Sequence, residues 1–172
     1  MLKEKCVFLD RDGVLNEERG DYTYLPDDFR IIPGVPEALE LLKANKFRLV
    51  VVTNQGGMAK GLFTKKEMQA CHEKLMAACP GCLDAIYYAP AHPSVSASLA
   101  RKPDSLMLEK AIARFNLDVA QSWLVGDQPR DLAAARKVGV KAIWINSSSE
   151  PTPDGILRAP DLLAATALIL GA

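Results

Sequence analysis

Apolar and polar positions alternate along the chain between short continuous apolar runs and longer segments of helical period. Cys6-Val7-Phe8-Leu9 is the first run, stopped at once by Asp10-Arg11-Asp12-Gly13. An apolar run closed by a turn signal is the pattern of a strand buried on both faces. The pattern recurs at 47–52, 85–88, 122–125 and 140–145. Helical segments lie between these runs. Pro33-Gly34-Val35-Pro36 opens one, with Ala38, Leu39, Leu41 and Leu42 as its apolar face. Thr64 and Glu67 have capping-box spacing and start a second, running to about Ala78. Asp104 caps a third that reaches about Asn116. A short helix covers Asp131 to Val138, and Asp161 to Leu170 forms a last one. The stretch from Asn16 to Ile32 reads as a loop or small flap over the first strand end, and Ala89–Pro103 as a loop rich in Pro, Ser and Ala.

Strands alternating with helices predict an α/β fold: a doubly wound, Rossmann-like parallel sheet with helices on both faces and no large cap domain. The length of 172 residues suits one such domain over the whole chain. In these sheets ligands bind beyond the carboxyl ends of the strands. Asp10, Asp12, Thr53, Lys102 and Asp127 all fall at strand ends or in the loops after them.

Charge narrows the partners. Lys plus Arg equals Asp plus Glu at 21 each, so the clustered positive charge that nucleic acid requires is absent. No apolar run reaches the roughly 20 residues of a membrane span, and Met1-Leu2-Lys3-Glu4-Lys5 carries no apolar signal region. The expectation is a cytoplasmic protein, monomeric or a small homo-oligomer, without nucleic-acid or membrane partners. Of the cysteines Cys6, Cys71, Cys79 and Cys82, the last two form a C-x-x-C. A redox pair should stand between a strand and a helix start, whereas this one follows a helix. A zinc site would need a second ligand pair, and Cys71-His72 has the wrong spacing. The expectation is a helix-terminating loop with incidental thiols.

The polar residues at the strand ends form a set with one chemistry. Hydrolysis of a phosphate ester needs a nucleophile, an acid and charge neutralisation together. A carboxylate can attack phosphorus and form an aspartyl-phosphate, and a nearby carboxyl can protonate the leaving oxygen and then activate water. Magnesium, taking oxygen ligands, screens the carboxylates from the phosphate. A hydroxyl and a lysine can hold the phosphoryl oxygens. Asp10 fits the nucleophile, Asp12 the acid/base, Thr53 and Lys102 the phosphoryl holders, and Asp127 a metal ligand.

Asp10-Arg11-Asp12-Gly13, Thr53-Asn54, Arg101-Lys102-Pro103 and Gly126-Asp127-x-x-x-Asp131 resemble, in order and spacing, the four motifs of the haloacid dehalogenase superfamily of phosphotransferases. The resemblance implies Asp10 as nucleophile and Asp12 as acid/base. It implies magnesium held by Asp10, the main-chain carbonyl of Asp12 and Asp127, with Asp131 in the outer shell. Without long insertions at 16–33 or 61–84, the chain is similar to the capless members. Asp10 to Asn16, Thr53 to Gly57, Ala59-Lys60-Gly61 and Arg101-Lys102-Pro103 resemble in particular the heptose-bisphosphate phosphatases, kin of the histidinol-phosphate phosphatases. That branch removes the 7-phosphate of D-glycero-D-manno-heptose 1,7-bisphosphate on the route to bacterial surface-sugar nucleotides. By this likeness Asn54, Gln55, Lys60 and Arg101 help to hold the substrate.

Two departures from the branch stand out. Its structural zinc takes Cys and His ligands where this chain has Ala89, Ala91, Ser98 and Ala100, so no zinc is expected. Gln128 follows Asp127 where the branch often has Lys or Arg. Lys60, Arg101 and Lys102 favour a second phosphate over the cationic histidinol phosphate. The remaining alternatives are another sugar-phosphate phosphatase, a nucleic-acid 3′-phosphatase disfavoured by the neutral charge, and a silent sugar-phosphate binder. His92 is expected on a surface loop, His72 at the surface or its boundary, Trp123 and Trp144 in the core, and Tyr22 and Tyr24 in the flap over the site.

Overall fold

A computed structural model describes residues 2–146, 151–153 and 155–172. Six strands, β1 (Cys6–Leu9), β2 (Arg48–Asn54), β3 (Ala85–Ala89), β4 (Trp123–Gly126), β5 (Lys141–Ile145) and β6 (Leu157–Ala159), form one parallel sheet in the order β3-β2-β1-β4-β5-β6. The helices are α1 (Val35–Ala44), α2 (Lys65–Ala78), α3 (Leu106–Phe115), α4 (Pro129–Val138) and α5 (Leu162–Leu170), with a short 3-10 turn at Val119–Gln121. This is the Rossmann-like, doubly wound α/β architecture that the alternating pattern predicts.

β1 lies at the centre because all four of its side chains are apolar and each finds a covered face. Val7 and Leu9 enter a core with Leu49, Val51, Val125, Ile143 and residues of α1, α2 and α5. Cys6 and Phe8 enter a second core with Val50, Val52, Leu124 and residues of α3 and α4. Every residue of β1 is fully buried, and burying a large apolar side chain contributes about 1.5–3 kcal/mol. At the amino end of the sheet, Arg48 pairs with Glu4 and Asp84, and Lys43 also reaches Asp84. The chain runs outward from β1 in both directions, through β2 to β3 and through β4 to β6. The switch in strand order therefore falls between β1 and β4, where a crevice opens.

Several local expectations are corrected. Asp104 does not cap α3. The N-cap position is Ser105, without a side-chain cap, and Asp104 pairs with Lys137 at 2.6 Å. α4 begins at Pro129, which places Asp131 inside its first turn. β2 extends through Thr53 to Asn54. β6 has no forerunner in the sequence reading, because Leu157-Arg158-Ala159 is too short to show a period. His72 is buried at 6 % exposure, since α2 turns that face onto the sheet edge. Cys79 and Cys82 are joined as a disulfide rather than standing as incidental thiols. Trp123 and Trp144 are buried as expected. Among the described residues no helix is long and apolar enough to cross a membrane.

Candidate active site

The crevice between β1 and β4 receives the ends of three central strands. Asp10 continues β1, and its N–H donates to the Val125 carbonyl of β4 at 3.0 Å. That bond fixes the carboxylate over the strand ends. Asp10 Oδ1 accepts from the Arg11 main-chain N–H at 2.8 Å and pairs with Lys102 Nζ at 2.9 Å. Its Oδ2 has no hydrogen-bond donor among the described residues.

Lys102 is fully buried, and its ammonium has three partners: Asp10 Oδ1, Asp131 Oδ1 at 2.7 Å and the Val52 carbonyl at 2.7 Å. Burial alone would lower its pKa, but the Asp10 and Asp131 carboxylates hold it above the usual lysine value. The lysine is set in place by Asn54, whose side-chain amide exchanges two 3.0 Å hydrogen bonds with the Lys102 main chain. Asn54, expected to touch substrate, lines the cavity while its amide serves this positioning role.

Asp127 follows β4 and Asp131 lies in the first turn of α4. Gln128 N–H donates to Asp131 Oδ2 at 3.0 Å, and Gln128 Nε2 donates to Asp127 Oδ2 at 3.0 Å. Trp144 Nε1–H donates to the Asp127 carbonyl at 2.9 Å and anchors that loop to β5. Asp127 Oδ1 is buried without a hydrogen-bond partner. Carboxylate oxygens of Asp10, Asp127 and Asp131 lie within 4.8 Å of one another. Three carboxylates faced by one ammonium leave a net negative cluster. Burial, then the Asp131 charge, raise the Asp10 pKa to about 8 against the pull of Lys102. Asp127 is raised as well, by burial first, with Asp131 adding and the Gln128 hydrogen bond opposing.

Two glycines make this close approach possible. Gly13 sits at φ +85°, and a Cβ there would overlap the Asp127 carboxylate. A Cβ at Gly126 would overlap Asp131.

Asp12 points elsewhere. Its carboxylate accepts from Arg11 Nε (3.2 Å) and Nη2 (2.8 Å), from Asn16 Nδ2 (2.9 Å) and from Gln55 Nε2 (3.2 Å). Gln55 Nε2 also donates to Thr53 Oγ1 at 2.9 Å, so the buried Thr53 and Gln55 form one chain with the half-buried Asp12. Arg11 is 1 % exposed, lies over the Phe29 ring and donates through Nη2 to the Thr23 carbonyl at 2.7 Å. It ties the 16–32 flap to the carboxyl end of β1.

Asp10, Asp12, Asn54, Gln55 and Arg101 line a cavity of about 380 Å³, together with Glu18, Gly20, Asp21 and Tyr22 of the flap and with Arg130. Tyr22 covers the site as expected, while Tyr24 stacks on Phe63. Lys60 is not brought to this wall. It is exposed, with Nζ 5.5 Å from the centroid of the Tyr22 ring. Arg101 Nη1 donates to the Ala91 carbonyl at 3.1 Å, and a Cβ on Gly56 would crowd that guanidinium.

Sequence reading missed the tasks of Arg11 and Arg130. A cation between two strand-end carboxylates signals the first. The second stands in the first turn of a helix, where positive charge opposes the macrodipole by about 0.3–1 kcal/mol.

The sequence profile of the haloacid dehalogenase-like hydrolases matches residues 16–145. D-glycero-beta-D-manno-heptose-1,7-bisphosphate 7-phosphatase of Haemophilus ducreyi is 39% identical over 166 residues, 91% of each chain. The Escherichia coli K12 protein of the same name is 38% identical over 160 residues, covering 87% of this chain and 83% of its own. The structure of D,D-heptose 1,7-bisphosphate phosphatase from B. bronchiseptica, complexed with magnesium and phosphate, superposes with a TM-score of 0.89. It is 31% identical and covers 97% of this chain and 98% of that one.

Proposed function

From the premise that the chain belongs to the haloacid dehalogenase-like hydrolases and is a phosphatase, we propose that it hydrolyses the 7-phosphate of D-glycero-D-manno-heptose 1,7-bisphosphate through an aspartyl-phosphate on Asp10. The observation that carries the reading is the pair at the end of β1. Asp10 presents a free oxygen to the cavity, and Asp12, two residues on, lines the same cavity from a different hydrogen-bond network. Two carboxyls held apart in this way suit two roles.

The cluster of Asp10, Asp127 and Asp131 fits a hard divalent cation. Its donors are all oxygens, its charge is negative, and Asp127 Oδ1 is buried without a partner. Asp10 and Asp127 would hold magnesium, with the Asp12 main-chain carbonyl as the third protein ligand. Asp131 has both oxygens engaged by Lys102 and Gln128, which suits an outer position. When bound, magnesium neutralises the carboxylates and the developing phosphoryl charge.

In the first half-reaction Asp10 Oδ2 attacks phosphorus and the ester oxygen leaves. Asp12 gives that oxygen a proton as general acid. In the second, Asp12 takes a proton from water, whose oxygen displaces phosphate from Asp10. Lys102 keeps Asp10 oriented and favours its ionised form. Arg11, Asn16 and Gln55 fix Asp12, and the Gln55–Thr53 bond joins it to β2. Glu18 and Asp21 on the flap suit a polyhydroxylated substrate, since carboxylates accept from sugar hydroxyls.

Phosphate release in the presence of magnesium tests the reading. The panel holds both anomers of the heptose bisphosphate, histidinol phosphate and common sugar mono- and bisphosphates. The heptose bisphosphate should give the highest kcat/KM, and Asp10→Asn should abolish release. A preference for histidinol phosphate would replace the substrate, and no release from any ester would favour a silent binder.

A further inference from the structure

Four consecutive carbonyls, from the end of β3 into the loop that follows, are all engaged. Those of Ala89, Pro90 and Ala91 accept from the Gln55 N–H at 2.8 Å, the Ala59 N–H at 3.2 Å and Arg101 Nη1 at 3.1 Å. The His92 carbonyl accepts from the N–H groups of Val95 and Ser96 at 2.9 and 3.0 Å. At the far end of the loop Ser98 takes the Arg101 N–H on its carbonyl and the Ala100 N–H on its hydroxyl, both at 3.2 Å. The protein itself therefore satisfies the backbone at both ends of this loop. Nothing here fits the zinc of the heptose-bisphosphate branch. Ala89, Ala91 and Ala100 carry no ligand atom, and the Ser98 hydroxyl is spent on Ala100. Among the described residues no cluster of His, Cys, Asp or Glu able to hold a metal includes His92.

One side chain of the loop is placed with more care than a surface residue needs. His92 is half-buried, with Nδ1 2.7 Å from Ser94 Oγ and accepting the Ser94 N–H at 3.1 Å. These contacts hold the ring against Gly56, which lies in the cavity wall. A Cβ on Gly56 would stand 3.0 Å from His92 Cδ2, 3.2 Å from His92 Cβ and 2.9 Å from Arg101 Nη1. The imidazole and the guanidinium thus crowd the same face of one glycine. The Arg101 side chain makes a single hydrogen bond, to the carbonyl of Ala91, and has no acidic partner among the described residues. Its direction in the cavity wall therefore depends on where residues 91 and 92 are held.

We propose that His92 is a positioning residue: pinned by Ser94, it holds the Arg101 guanidinium in the cavity wall, and it does so without the zinc that orders this loop in the branch. This rests on the phosphatase reading above and on Arg101 as a substrate-holding group. A side chain fixed before substrate arrives loses less freedom on binding. Loss of that order falls on KM and leaves kcat in place, because a contact away from the reacting phosphoryl binds ground state and transition state alike.

The test measures kcat and KM on whichever ester of the panel above gives the highest kcat/KM. It compares wild type, His92→Ala, His92→Asn, Arg101→Ala and the double variant His92→Ala/Arg101→Ala. His92→Ala should raise KM about two- to tenfold, the effect of leaving one long side chain to be ordered by substrate. Its kcat should stay within about twofold. His92→Asn puts an amide oxygen where Nδ1 stands and should recover most of the loss. Arg101→Ala should raise KM about tenfold or more. Adding His92→Ala to it should change nothing further, since His92 acts through Arg101. Purified wild type should hold only substoichiometric zinc, and EDTA treatment followed by fresh magnesium should leave KM unchanged. An unchanged KM in His92→Ala overturns the proposal, as does a loss in kcat alone or a pair of effects that simply add. Arg101→Ala with a wild-type KM overturns it too, and leaves the phosphatase reading standing. Stoichiometric zinc whose removal raises KM would put a metal in the place of the histidine strut. Release from no ester overturns the phosphatase reading and the role of His92 together.

Discussion

At the residue scale the site is a problem of buried charge. Removing a carboxylate from water costs several kcal/mol unless it is paired, and Lys102 answers for Asp10 and Asp131 while Arg11 answers for Asp12. Asp10, Asp12, Lys102 and Asp127 were legible in the sequence because each is a charged residue set against an apolar run or a turn. Asn54 and Gln55 were legible as site residues, but not as groups that hold Lys102 and Asp12 in place. Their task depends on which strand lies beside which. His72 was misread for a similar reason: helical period marks a face, and only the packing of α2 against the edge strand shows that this face is covered. Its Nε2 is buried without a partner, and burial, aided by the Arg11 charge, lowers its pKa to about 4. The unfolded chain therefore takes a proton near pH 6.5 that the folded protein resists until about pH 4. Stability from this residue is complete above about 6.5 and is lost as the pH falls toward 4, by as much as about 3 kcal/mol. Urea denaturation of His72→Leu should show a flatter acid limb than wild type. An unchanged limb would assign the acid sensitivity to other groups.

At the element scale the fold follows from where the apolar runs stop. β1 is apolar for all four residues and is buried on both faces, so it takes the centre of the sheet, and the residues after it fall at the strand-order switch. The order of strands and helices could be read directly. β6 could not, since three residues carry no period, and the start of α4 was hidden because Pro129 and Arg130 lack apolar partners in sequence. The tight junctions of β1 and β4 with their following turns depend on glycine. Gly13 has both a positive φ and no room for a Cβ beside Asp127. Gly13→Ala should push the Asp127 carboxylate away from Asp10 and weaken magnesium binding about 10- to 100-fold, as lost support of a metal ligand does elsewhere. Isothermal titration with magnesium measures this directly, and an unchanged affinity would remove Asp127 from the cation site.

At the scale of the whole molecule, folding and cation binding are linked through the same carboxylates. In the metal-free protein the Asp10 pKa is raised to about 8, from an ordinary value near 4, because burial and Asp131 oppose its ionisation. The unfolded chain loses this proton first, so the metal-free protein should lose stability as the pH rises from about 4 to about 8. A cation that binds ionised Asp10 reverses that loss. The rise in melting temperature on adding magnesium should therefore grow between about pH 5 and about pH 8. An increment independent of pH would separate the cation from Asp10. During turnover the phosphoryl group is proposed to reside on Asp10. The most direct measurement quenches the enzyme in mid-turnover, reduces it with borohydride and maps the peptides by mass. An acyl phosphate is reduced to homoserine, so homoserine should stand in place of Asp10 only when substrate and magnesium are both present. Full turnover with Asp10 unmodified, or homoserine at another carboxylate, would contradict it.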